Sequence, residues 1–122
     1  MELALQIPGL PPVASQGLLQ LVQQNPKVEE IWLFGSRAMG RHREGSDVDL
    51  CLVGDAITHV DRLQLMHAID DLLLPWQVDL ALHHELPSEL LDHVNRVGVR
   101  LWQRLQPRSS DRPIGGAEAE WF

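Results

Sequence analysis

Asp47 and Asp49 stand two apart at the head of an otherwise apolar run, DVDLCLV. In an extended chain alternate side chains share a face, so these carboxylates point one way while Val48, Leu50 and Leu52 point the other. Two like charges this close repel, and one tends to take up a proton unless a cation relieves the conflict. Mg²⁺ does so with one or two carboxylates and the oxygens of a phosphate. The pair is therefore a candidate Mg²⁺–nucleotide site. A third carboxylate, Asp79, lies inside WQVDLAL, where it is costly unless it faces solvent or a metal. If its strand pairs beside Asp47 to Val53, the three acids can converge. Three carboxylates can hold two metal ions, which clamp the attacking and leaving oxygens of an in-line displacement.

Gly35-Ser36 supplies a second half. Glycine lets backbone come close to a phosphate, and the N–H groups that follow at a helix start are donors at a positive dipole end. Ser36 adds a hydroxyl. Arg37 either supports a triphosphate or ties the loop down. Singly, each feature has an ordinary reading. A Gly-Ser turn is common, Ser36 alone suits a helix N-cap, a lone DxD suits a solvated strand face, and Asp79 alone suits a salt bridge. Their occurrence in order, in fitting local structure, is far more specific.

The elements that must hold these residues follow from pattern and punctuation. Pro11 and Pro12 suit the first turn of a helix with Leu18, Leu19, Leu21 and Val22 on its apolar face, stopped at Asn25-Pro26. Residues 1–10 are expected to be a loose lead-in. Val28 to Phe34 reads as a strand, Ser36 to Arg41 as a short helix, and Asp47 to Val53 as a second strand. Thr58 and Asp61 form a candidate capping box for a helix carrying Val60, Leu63, Met66, Ile69 and Leu73. Trp76 to Leu82 alternates like a third strand. Pro87 and Ser88 open a helix with Leu90, Leu91 and Val94 on one face, and Val99 to Trp102 is a short last strand. The expectation is an α/β (α+β) fold, a small mixed β-sheet with helices packed against it. Residues 1–105 form one domain. Residues 106–122, rich in Pro, Gly, Ser and charge, are expected to be a flexible tail, with Trp121 and Phe122 as its aromatic end.

Composition narrows the class. The 122 residues suffice for one core and not two. Ten basic against seventeen acidic residues leave a net charge of -7, and Lys27 is the single lysine. Such a surface repels polyphosphate and argues against general DNA or RNA coating, though a local cationic spot can still hold one nucleotide. Cys51 is the single cysteine, so no internal disulfide forms, as in a reducing cytosol. No apolar run approaches the ~20 residues of a membrane span, and the start lacks the basic region of a secretory signal. A cytoplasmic protein is expected.

The spacing Gly35-Ser36, ten residues, Asp47-x-Asp49 resembles the signature of the polymerase-beta-type nucleotidyltransferase superfamily. The fuller wording, LFGSRAMG followed by SDVDL with Asp79 in QVDLAL, is similar to the minimal nucleotidyltransferases in particular. The resemblance covers roughly residues 15–104. Met39 departs from it, standing where arginine is frequent. The resemblance implies a nucleotidyltransferase-type fold in which ATP lies with its phosphates on Gly35 and Ser36, near Arg37. It also implies that Asp47, Asp49 and Asp79 are catalytic and hold Mg²⁺, and that Asp79 helps activate an acceptor hydroxyl. That hydroxyl attacks the α-phosphorus and pyrophosphate leaves.

Minimal domains of this size resemble antitoxins paired with a HEPN-domain ribonuclease toxin, which they silence by transferring AMP to a toxin tyrosine. This chain has no tyrosine, so such an acceptor lies in a partner, and a hetero-oligomer with the toxin is expected, with no direct nucleic-acid or membrane contact. The acidic surface suits a partner that binds RNA and is basic in places. Two other functions compete: an antitoxin that neutralises by binding alone, and a nucleotidyltransferase for an aminoglycoside-like small molecule.

Other residues receive plainer readings. His83-His84-Glu85 lacks a spaced third metal ligand and reads as a polar loop. His42 reads as a solvated loop residue, with a nucleotide contact as the alternative. His59, His67 and His93 read as helix-surface residues. Cys51 reads as a small packed residue under the acids, and Trp32, Trp76 and Trp102 as strand residues in the core or an interface.

Overall fold

The structure is a computed structural model that describes residues 5–105. The expected tail, with Trp121 and Phe122, lies outside the described residues. Helix α1, Pro12–Gln23, starts where Pro12 loses no intrahelical hydrogen bond, and it buries Leu18, Leu19 and Val22. Strand β1, Glu30–Phe34, runs into a one-turn helix α2, Gly35–Ala38. Strand β2 spans Val48–Val53, α3 spans His59–Asp70 and β3 spans Val78–Leu82. A 3-10 turn at His83–Glu85 leads to α4, Ser88–Val97, and to β4, Val99–Gln103.

The four strands form one mixed sheet in the order β3-β2-β1-β4. β1 is antiparallel to both β2 and β4, while β2 and β3 are parallel. The parallel pair needs a crossover, and α3 supplies it. One face of the sheet carries Ile31, Leu33, Leu50, Leu52, Leu80, Leu82 and Leu101, buried in the core with α1 and α3. β3 is an outer strand. Arg62 on α3 donates from Nε to Leu80 O at 2.8 Å, occupying one backbone acceptor of that strand.

The capping box at α3 is present: Asp61 N donates to Thr58 Oγ1 at 3.1 Å, and Thr58 N donates to Asp61 Oδ2 at 2.8 Å. Three expectations are corrected. The lead-in is packed where it is described: Ile7 and Leu10 are in the core, and Ile7 N donates to the buried Ser15 Oγ at 2.9 Å. A short segment without periodicity gave no sign of this. Secondly, α3 stops at Asp70, so Leu73 is not on it; Leu73 has φ 55° and is exposed. Pro75 forces the residue before it out of helical backbone, and the turn begins ahead of it. The core side of α3 is Leu65 and Ile69, while Val60 and Leu63 are exposed. Finally, Trp76 precedes β3 instead of lying on it.

Candidate active site

The strand register answers the question left open by the sequence. Asp49 on β2 pairs with Asp79 on β3 in parallel register, and with Phe34 on β1 in antiparallel register. Aligned residues on adjacent strands project to the same face, so the Asp49 and Asp79 carboxylates are neighbours. Asp47 lies on that side too, just ahead of β2. Asp47 and Asp79 are exposed and Asp49 is half-buried.

Gly35 follows Phe34 and so sits beside Asp49. Its φ is 76°, and a Cβ built there would collide with Asp49 Oδ2. Two constraints therefore demand glycine: a left-handed backbone and the close approach of a carboxylate. Met39 N donates to Gly35 O, and Arg41 N to Ser36 O at 2.9 Å, closing the turn of α2. Ser36 does not act as an N-cap; Phe34 holds that position, with no side-chain capping bond.

Arg37 is 2% exposed, and its guanidinium is committed to backbone. Nη1 donates to Pro8 O at 2.6 Å, Nη2 to Ser46 O at 2.7 Å and Nε to Asp47 O at 3.3 Å. The tie expected of it is present: Arg37 clips the acid loop to the N-terminal segment. Burial pulls its pKa down, while Asp47 and Asp49 oppose that shift. A cavity of about 550 Å³ lies beside it, lined in part by His42, Arg43 and Trp76.

The carboxylates carry an unrelieved charge. The ion pairs among the described residues are Lys27–Asp61 and Arg100–Glu30, so no base pairs with Asp47, Asp49 or Asp79. Burial raises the pKa of Asp49, and the charges of Asp79 and Asp47 raise it further; His93 and Arg37 pull it back. Among the described residues no three His, Cys, Asp or Glu side chains form a ready metal cage. A Mg²⁺ that arrives on a triphosphate needs none, because phosphate oxygens and water fill most of its six positions. Two adjacent carboxylates with no cationic partner fit that requirement.

His93 was expected on a helix surface and is instead part of the site. Its Nε2 accepts from Gly35 N at 3.2 Å, and its ring meets Phe34 edge-to-face at 6.2 Å between centroids. The spacing did contain a signal. Leu90, His93 and Val97 recur at i, i+3 and i+7, which puts His93 on the inward side of α4. Nothing local shows that this side meets Gly35.

The remaining residues follow their plain readings more closely. Cys51 is buried and its thiol is pushed up to about 11 by burial, so it is packing and not a nucleophile. His84 Nε2 lies 2.9 Å from Ile57 O, and His59 and His67 are exposed. Trp32 is half-buried and donates to Glu30 Oε1 at 2.7 Å, and Trp102 is buried under the Arg104 guanidinium.

A glycine turn fitted under one acid of a three-carboxylate strand edge is the architecture of a nucleotidyltransferase. The chain belongs to the family described as polymerase beta, nucleotidyltransferase, which matches residues 16–106. A probable protein adenylyltransferase MntA of Haemophilus influenzae is 34% identical over 61 residues, 49% of this chain and 54% of that protein. The chain thus matches about half the length of that curated relative. A crystal structure of a toxin-antitoxin with AMP-PNP superposes with TM-score 0.63 at 28% identity, covering 75% of this chain and 74% of the other. The MNT antitoxin in complex with a tri-AMPylated HEPN toxin of Shewanella oneidensis superposes with TM-score 0.59 at 25% identity, over 77% and 73% of the two chains.

Proposed function

We propose that this chain is a protein adenylyltransferase antitoxin, which transfers AMP from ATP to a tyrosine hydroxyl of a partner HEPN ribonuclease and releases pyrophosphate. The observation that carries this reading is the register of Asp49 with Asp79, closed from the β1 side by Gly35. The Gly35-Ser36 turn receives the phosphates of ATP. Asp47, Asp49 and Asp79 hold Mg²⁺, which neutralises charge on the phosphates when bound. Arg37 fixes the loop from which Asp47 projects. In the transfer, the acceptor oxygen forms a bond to the α-phosphorus as the bond from that phosphorus to the bridging oxygen breaks. Asp79, exposed on the outer strand, takes the hydroxyl proton. Such catalysis is positioning and charge neutralisation, so each carboxylate matters.

The acceptor is supplied in trans, because this chain contains no tyrosine. Its net charge of -7 favours a partner with basic RNA-binding surface. None of the described helices is long and apolar enough to cross a membrane. The reading puts the protein in the cytoplasm, where ATP and a toxic ribonuclease meet.

The deciding experiment is the intact mass of the neighbouring gene's product, expressed alone and with this chain. Wild type is expected to add one or more AMP masses, and an Asp47→Ala, Asp49→Ala double variant none. An unchanged mass with full neutralisation would make the chain a binding antitoxin. No complex and no mass change would favour a small-molecule acceptor.

A further inference from the structure

We propose that His93 is a positioning residue of the transfer site, which presets the phosphate turn by holding the Gly35 amide through Nε2. The inference rests on the reading of the chain as an ATP-dependent nucleotidyltransferase. The contact spans 58 residues of sequence and joins α4 to the start of α2. Since Gly35 N–H donates, Nε2 is the lone-pair nitrogen and the ring proton sits on Nδ1.

Gly35 is where such a hold has most effect. Glycine has the most backbone freedom to lose, and this one must keep a φ of 76°. Its Cα also lies under Asp49, which leaves the carboxylate little room if the turn shifts. His93 itself is locked: Phe34 meets its ring edge-to-face, and it is half-buried at the inner side of α4. One imidazole thus fixes the backbone that receives phosphate and, through it, the setting of Asp49. Without the hold, nucleotide binding must order the turn itself, which weakens ATP binding more than it slows the chemistry.

Two substitutions separate the hydrogen bond from the packing. His93→Gln keeps an acceptor on a side chain of similar reach, and His93→Phe keeps the ring against Phe34 and removes the acceptor. Amide hydrogen exchange by NMR on the free chain is the first readout. The Gly35 amide is expected to be protected in wild type and in His93→Gln, and to exchange freely in His93→Phe. Steady-state AMP transfer to the toxin is the second. KM for ATP is expected to rise on the order of tenfold in His93→Phe, with kcat changing less, and to return in His93→Gln. Melting curves matching wild type show that the fold is intact. A freely exchanging Gly35 amide in wild type, or a His93→Phe enzyme with wild-type KM, overturns the proposal while leaving the adenylyltransferase standing. A wild-type chain that neither binds Mg²⁺-ATP by calorimetry nor modifies the toxin overturns both.

Discussion

Asp49 and Asp61 are both half-buried aspartates attached to regular structure, yet their surroundings are opposite. Asp61 sits in the first turn of α3, accepts from Thr58 N and pairs with Lys27 Nζ at 2.9 Å. Those bonds hold its carboxyl at about 2, below the ordinary 3.8. Asp49 sits between Asp79 and Phe34, has no basic partner, and its pKa is raised by burial and by two like charges. One acid is charged because the fold rewards the charge. The other carries its charge against the preference of the fold, since burial and two like charges both favour its protonated form. An acid kept at such a cost is available to a ligand that brings positive charge, whereas a satisfied acid is not.

Substitution should separate the two sites most sharply in activity. If the proposed function holds, Asp49→Asn is expected to reduce AMP transfer by about three orders of magnitude, as removal of preorganised charge does in enzyme active sites. The same change removes a repelled charge, so its melting temperature at pH 7 should exceed that of wild type. A variant that is both inactive and less stable would break the comparison. Asp61→Asn should do the reverse, lowering the melting temperature with transfer to the toxin unchanged.

Gly35→Ala comes next in size. The added methyl meets Asp49 and the backbone is left-handed, so a loss of about 1–3 kcal/mol in denaturant unfolding is expected, together with loss of ATP binding. Thr58→Ala removes only the capping hydroxyl and should cost about 1 kcal/mol, with kinetics intact.

The smallest effect is in the pH dependence of stability, and there the two acids have opposite signs. The folded pKa of Asp61 is lowered, so its contribution is present above the ordinary 3.8 and is lost as pH falls toward about 2. The folded pKa of Asp49 is raised, so the folded state binds the proton more tightly than the unfolded chain. Stability then declines as pH rises from the ordinary carboxylate value through the raised one. Urea midpoints between pH 2 and 8 should show a shallower acid limb in Asp61→Asn and a shallower limb above the ordinary carboxylate range in Asp49→Asn.

The sequence was most informative where a pattern is local. The period of two in DVDLCLV, the capping residues Thr58 and Asp61, and the proline starts of α1 and α4 each describe what neighbouring residues do to one another. Alternation put Asp47 and Asp49 on one side, but convergence with Asp79 depended on strand order, which no run of residues encodes. Arg37 shows the same limit, since two roles fitted its position and the carbonyls of Pro8, Ser46 and Asp47 that make the tie come from separate parts of the chain. His93 escaped because its partner lies in another element, and its imidazole looked like one more polar group on an amphipathic helix. The packing of Ile7 and Leu10 escaped because two apolar residues in a proline-rich lead-in have no period to detect.

The Arg37 clip has a consequence for how the site opens. Three strands of hydrogen bonding meet on one guanidinium, and one of them begins at Pro8, ahead of every helix and strand. The N-terminal segment and the loop before the acids are thereby tied through one side chain: a fluctuation that peels residues 5–10 from the core removes one of the three carbonyls that hold Arg37, and is expected to loosen its hold on Ser46 and Asp47. The candidate acids are thereby expected to share the breathing of a segment that lies ahead of every helix and strand, through the one side chain that holds both.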